Sequence, residues 1–140
     1  MAGYSSRSLV DKLGIGPKTT VVLLGGPPGY AALLGPLPAG ATIVTRLPRT
    51  ARFVHLFARL RIELDAALPR AARALADDGM LWVSWPKKAA RLSTDLTEDA
   101  VRAVGLPLGL VDVKVCAVDE VWSGLRFVRR KALRGKTTPA

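Results

Sequence analysis

The sequence predicts a three-layer α/β protein: a mostly parallel sheet with helices on both faces, closed by a C-terminal antiparallel hairpin. Three observations carry this. Val21, Val22, Leu23 and Leu24 form an apolar row with no polar alternation, as a strand buried on both faces requires. Strand-like runs then alternate with helical periodicities, which implies parallel pairing through right-handed crossovers. Finally, Leu110 to Val128 shows no helical period; Val111, Val113, Val115, Ala117 and Val121 alternate, followed by Leu125 and Phe127, the pattern of a hairpin.

In chain order, Ser8 to Leu13 predicts a short entry helix closed by Gly14, and Thr19 to Leu24 the first strand, ended by Gly25 and Gly26. A short helix follows around Tyr30 to Leu34, then two β-rich runs, Thr42 to Thr45 and Phe53 to Phe57. From Arg59 onward Leu60, Leu64 and Leu68 recur every four residues and mark one helical face; Pro69 either kinks this helix or opens a second one. Asp77-Asp78-Gly79 reads as a turn with Gly79 as the stop. Met80 to Trp85 is the fourth strand, ended by Pro86, and its alternation sends Trp82 and Trp85 to opposite faces. Asp95 with Glu98 resembles a capping box for a helix through Val104, with Thr97 as the other candidate cap. The hairpin turn is placed near Asp119-Glu120 rather than Ser123-Gly124, because that leaves strands of similar length.

At 140 residues the chain holds one domain, expected over 1–131, with a flexible basic tail at 132–140. Apolar residues at 49% and charged ones at 23% disfavour a disordered, collagen-like or coiled-coil chain. The net charge of +10 is concentrated: Arg46 to Arg61 carries five Arg and no acid, and Arg126 to Ala140 six basic residues and no acid. Such patches attract phosphate backbones or anionic small molecules, or simply solvate a surface. The single cysteine, Cys116, cannot form an internal disulfide, and Met1 to Leu13 has no signal-like pattern, so a cytoplasmic protein is expected. The uncharged stretch Thr19 to Thr45 could span a bilayer by length, but Pro27, Pro28, Pro36 and Pro38 rule out a continuous helix there. With His55 the only histidine, no His-rich or Cys/His metal site can be assembled. His55 itself, between Val54 and Leu56, reads as a satisfied core or strand-end residue.

A sheet of this kind places its ligand crevice at the carboxyl ends of the strands. Chain order brings five stretches there, and from them come the candidate ligand-binding residues Gly25, Gly26, Gly29, Tyr30, Arg46, Ser84, Lys87, Lys88, Asp119 and Glu120. Gly25-Gly26-Pro27-Pro28-Gly29 allows close backbone approach, yet its prolines remove two amide donors, and neither GxGxxG nor GxxxxGK[ST] is present. Lys87 and Lys88 would bring positive charge to the crevice mouth. Asp119 and Glu120 suit ribose hydroxyls or a general base, and equally suit a plain turn. No catalytic residue is assigned.

The segments VVLLGGPPGY (Val21 to Tyr30), LWVSWPKK (Leu81 to Lys88) and KVCAVDEVWSGLRFV (Lys114 to Val128) resemble an uncharacterised bacterial family of small domains of unknown function. Its layout is similar to a shortened class I S-adenosylmethionine-dependent methyltransferase, which implies a Rossmann-like domain with a glycine turn after the first strand. The sequence departs from the methyltransferase pattern in two places. The glycine loop lacks both the acidic residue and the G-x-G-x-G spacing, and the second strand ends in Thr45 and Arg46 where a ribose-binding carboxylate is wanted. The residues therefore read as a degenerate methyltransferase-like binding or regulatory module with a crevice for an anionic small molecule. An active S-adenosylmethionine-dependent methyltransferase and a nucleic-acid binder acting through the basic patches stay open as alternatives. A second copy of the chain is a further candidate partner, through an exposed strand edge at Trp122 to Val128.

Overall fold

The computed structural model describes residues 8–130; the tail placed at 132–140 lies outside them. Six strands form one sheet: β1 (Thr20–Leu24), β2 (Thr42–Val44), β3 (Ala51–Phe57), β4 (Leu75–Pro86), β5 (Leu110–Ala117) and β6 (Trp122–Arg129), in the order β2-β1-β3-β4-β6-β5. The first four pair in parallel, and β6 runs antiparallel to both β4 and β5. Sheet growth reverses direction between β1 and β3, so their carboxyl ends splay around a switch point.

Helices cover both faces, as expected. Short α1 (Leu9–Leu13) and α2 (Tyr30–Leu34) share a core with Val21, Phe53, Phe57 and Trp82. On the other face α3 (Arg61–Ala74) and α4 (Glu98–Gly105) bury Leu64, Leu68 and Val101 against Val54, Leu81 and Phe127. Trp82 and Trp85 fall into these opposite cores, as strand alternation requires. Ser8 caps α1 by accepting from the Asp11 amide at 3.1 Å, and Gly14 at φ +86° ends it. No helix among the described residues is long and apolar enough to cross a membrane.

Four details differ from the sequence expectation. Pro69 does not open a second helix, the second of its two expected roles: α3 runs through it as one helix. The segment Asp77-Asp78-Gly79 lies inside β4, because Leu75 already pairs with Ala51 and the ladder resumes only at Phe53 with Met80. The residues between bulge out, and Gly79 is needed there: a Cβ would sit 3.0 Å from the Arg52 carbonyl. Thr97, not Asp95, caps α4, accepting from the Ala100 amide at 3.1 Å, while Asp95 accepts from the Arg61 amide at 2.7 Å and so caps α3. Finally, the open edge of the hairpin is β5, since β6 inserts between β4 and β5. Alternation told which residues share a face but not which face is covered. Leu125 and Phe127 of β6 fill the core, and Val113 and Val115 stand about half exposed on β5.

Candidate functional site

The glycine turn after β1 packs on the end of β3. Gly25 has φ +67°, and a Cβ on it would lie 2.7 Å from the Phe57 carbonyl oxygen, so only glycine lets the two strand ends approach this closely. A Cβ on Gly26 would strike the side chain of Leu23 at 2.5 Å. Both glycines thus meet requirements of the turn itself. Gly29, at φ +81° with open space around it, precedes the five-residue α2.

In front of this turn lies an open cleft of about 990 Å³. Its floor is Gly25, Gly26 and Phe57, Thr45 stands at the end of β2, and Trp122 closes the hairpin side. The remaining wall comes from α3 and the residue before it: Arg59, Glu63 and Arg70. Glu63 is turned toward the backbone, its Oε1 accepting from the amides of Arg59 at 2.8 Å and Leu60 at 3.2 Å, which caps the start of α3. Arg59 reaches only the Ser93 carbonyl, at 3.4 Å, and Arg70 has no ion-pair partner among the described residues. The wall is therefore cationic.

A smaller hollow of about 410 Å³ lies on the other side of Pro27 and Pro28, lined by Gly29, Tyr30, Asp119 and Trp122. Asp119 Oδ1 accepts from the amides of Val121 and Trp122 at 2.8 and 2.7 Å, an Asx turn that orients the Trp122 ring. That ring meets Phe57 edge-on, with centroids 5.0 Å apart.

Beneath the hollow the Tyr30 hydroxyl contacts His55 Nδ1 at 2.8 Å, and His55 Nε2 contacts Ser84 Oγ at 2.7 Å. His55 and Ser84 are fully buried. With both ring nitrogens partnered, the neutral imidazole is satisfied in either tautomer. Burial drives its pKa down to about 3 and pushes the Tyr30 phenol up. His55 also stacks on Phe57, with centroids 4.3 Å apart, so this buried chain braces the floor of the cleft.

Of the residues singled out from the sequence, Gly25 and Gly26 line the cleft, and Gly29, Tyr30 and Asp119 line the hollow. Ser84 lies below, joined through His55 to Tyr30. Arg46, Lys88 and Glu120 are exposed outside both linings, and Lys87 contributes its backbone amide to the Val121 carbonyl at 2.7 Å. Arg59, Glu63 and Arg70 escaped the sequence reading, although a signal was there: Arg59 lies two residues past the end of the third strand, and Glu63 and Arg70 share one helical face seven residues apart. The Arg46 to Arg61 run is partly neutralised in the fold, since Arg52 pairs with Asp78 at 3.7 Å and Arg61 with Asp65 at 3.0 Å. Among the described residues no group of His, Cys, Asp and Glu is placed to hold a metal ion.

No family model and no curated protein matches the chain. Solved structures do. The magnesium protoporphyrin IX methyltransferase from Synechocystis PCC 6803 with bound SAM superimposes with a TM-score of 0.60 at 14% identity, covering 86% of this chain and 74% of that one. The ribosomal protein L11 methylase of Lactobacillus delbrueckii subsp. bulgaricus gives 0.56 at 11% identity over 87% and 75%. A SAM-dependent methyltransferase from Aquifex aeolicus gives 0.56 at 12% identity over 85% and 86%. Likeness at such identities is one of architecture, and the architecture is that of a shortened class I S-adenosylmethionine-dependent methyltransferase.

Proposed function

We propose that this chain is a methyltransferase-fold binding module that takes an anionic small molecule in the cleft at the switch point. The observation that carries the reading is the pair of guanidinium groups, Arg59 and Arg70, on one wall, with the intervening Glu63 carboxylate held by backbone amides. Guanidinium is the side chain best matched to carboxylate and phosphate oxygens, because its planar donors pair with two of them at once.

The same residues do not fit S-adenosylmethionine. A wall carrying two guanidinium groups offers its sulfonium cation no opposite charge. At the end of β2, Thr45 and Arg46 offer the ribose diol no carboxylate acceptor. Asp119, the remaining acid near the rim, already orients the hairpin turn. The methyltransferase architecture favours the other reading, a working S-adenosylmethionine-dependent enzyme, and a direct test separates the two.

Native mass spectrometry of freshly purified protein, followed by calorimetry at low ionic strength with S-adenosylmethionine, its demethylated product, citrate and adenosine monophosphate, makes the comparison. A retained or binding anion whose affinity falls about tenfold in Arg70→Ala supports the proposal, the loss expected for one charge-assisted hydrogen bond. Heat with S-adenosylmethionine and none with the anions replaces it with the enzymatic reading.

A further inference from the structure

A second cationic group lies on the same face of the sheet as His55 but at its far end. The register places Lys114, Arg126, Trp82 and His55 in one row across β5, β6, β4 and β3. Residues directly opposite in antiparallel strands project to the same face, so Lys114 and Arg126 are a like-charge cross-strand pair, an arrangement that destabilises a sheet unless something offsets it. Neither residue has a carboxylate partner among the described residues, and the nearest acid in sequence, Asp112, is taken by Arg102 at 2.9 Å.

The third cation comes from α1. Trp82 donates its Nε1 hydrogen to the Leu13 carbonyl at 2.8 Å, which ties the end of α1, where Lys12 precedes Leu13, to the sheet. Lys114, Lys12 and Arg126 all exert their positive fields on Cys116, half-buried two residues along from Lys114; burial raises that thiol and the three cations oppose the rise. The guanidinium of Arg126 lies 6.0 Å over the Trp82 ring, and its buried Nε has no hydrogen-bond partner among the described residues.

We propose that Lys12, Lys114 and Arg126 form a binding site for a phosphate-bearing anion, separate from the switch-point cleft. The anion's oxygens would meet the Arg126 guanidinium and the two ammonium groups and offset the like-charge pair, beside half-buried Cys116. The site does not depend on the reading of the cleft, because its residues line neither cavity.

The test is a titration of the full chain with inorganic pyrophosphate at low ionic strength, followed by amide chemical shifts and by the rate at which iodoacetamide alkylates Cys116, the sole cysteine. Binding is expected to move the amides around Lys12, Lys114 and Arg126 and to slow alkylation, since an anion beside the sulfur disfavours the thiolate and blocks approach. Lys114→Ala, an edge-strand change that leaves the Trp82 core in place, is expected to weaken binding about tenfold. Arg70→Ala is expected to leave it unchanged. A single-stranded oligonucleotide run in parallel distinguishes a free phosphate from a nucleic-acid backbone: tighter binding with a steep salt dependence assigns the backbone as the source. If neither probe moves these amides, or if Lys114→Ala binds as the parent does, the proposal is overturned. Shifts confined to the surroundings of Arg59 and Arg70 would likewise overturn it while supporting the cleft.

Discussion

The Tyr30 hydroxyl and His55 Nδ1 lie 2.8 Å apart inside the protein, and this contact ties the helix after the glycine turn to the strand beneath it. The ring it orients is fully buried and neutral. In the folded state His55 resists protonation until about pH 3, whereas in the unfolded chain it titrates near 6.5. The unfolded state therefore binds more protons between these values, and stability is full above pH 6.5 and declines as pH falls toward 3, by about 1.4 kcal/mol per unit. Because His55 is the only histidine, denaturant unfolding between pH 7.5 and 5 isolates its contribution. The decline is expected in the parent and absent in His55→Asn; a flat parent profile would mean that the ring is not sequestered.

Gly25 and Gly29 both occupy the left-handed region, but only Gly25 is crowded, by the Phe57 carbonyl. Gly29→Ala is expected to cost about 1 kcal/mol, the backbone strain alone. Gly25→Ala should cost more, about 2 to 4 kcal/mol, because the turn must also move off β3. Urea midpoints of the two variants give the comparison, and equal losses would show that the close approach is not needed.

Trp82 is fully buried and its indole nitrogen holds the Leu13 carbonyl. Trp82→Ala is expected to destabilise by about 3 to 5 kcal/mol through the cavity it leaves. Trp82→Phe keeps much of the volume and orphans the carbonyl, so about 1 to 3 kcal/mol is expected. Thermal and urea unfolding of both variants read the difference.

Pro69 interrupts the hydrogen-bond ladder of α3 without breaking the helix, leaving the Asp65 carbonyl with no helical donor. Pro69→Ala restores that donor and is expected to stabilise the protein by about 1 to 3 kcal/mol, visible as a raised urea midpoint. Unchanged or lowered stability would assign the ring a packing role against the sheet.

The layers, the strands and the hairpin were legible because each rests on a periodicity: the apolar row at Val21, the four-residue spacing of Leu64 and Leu68, the alternation after Leu110; Leu60, read onto the same helical face, instead precedes α3 and is exposed. The β4 bulge was not, since Asp-Asp-Gly has turn chemistry and only the pairing of Leu75 with Ala51 overrides it. The rim was legible where chain order alone places a residue, as at Gly25, Gly26 and Asp119. Arg46, Lys87 and Glu120 were counted for lying next to strand ends, but a loop's direction after its strand is set by packing that one-dimensional order does not encode. The cross-strand opposition of Lys114 and Arg126 was hidden for a related reason: it depends on the hairpin register, which a bulge between Asp112 and Lys114 shifts.

The insertion of β6 between β4 and β5 bears on how the molecule is assembled. The final strand of the described chain is an interior one, so β5 finds no ladder to join until β6 has docked, and the sheet cannot grow outward in the order of synthesis. Arg129, near the end of that strand, then fastens to the carbonyls of Ala72 and Leu75 at the exit of α3. Docking of β6 thereby completes the hairpin and ties it to the end of the long helix in one set of contacts.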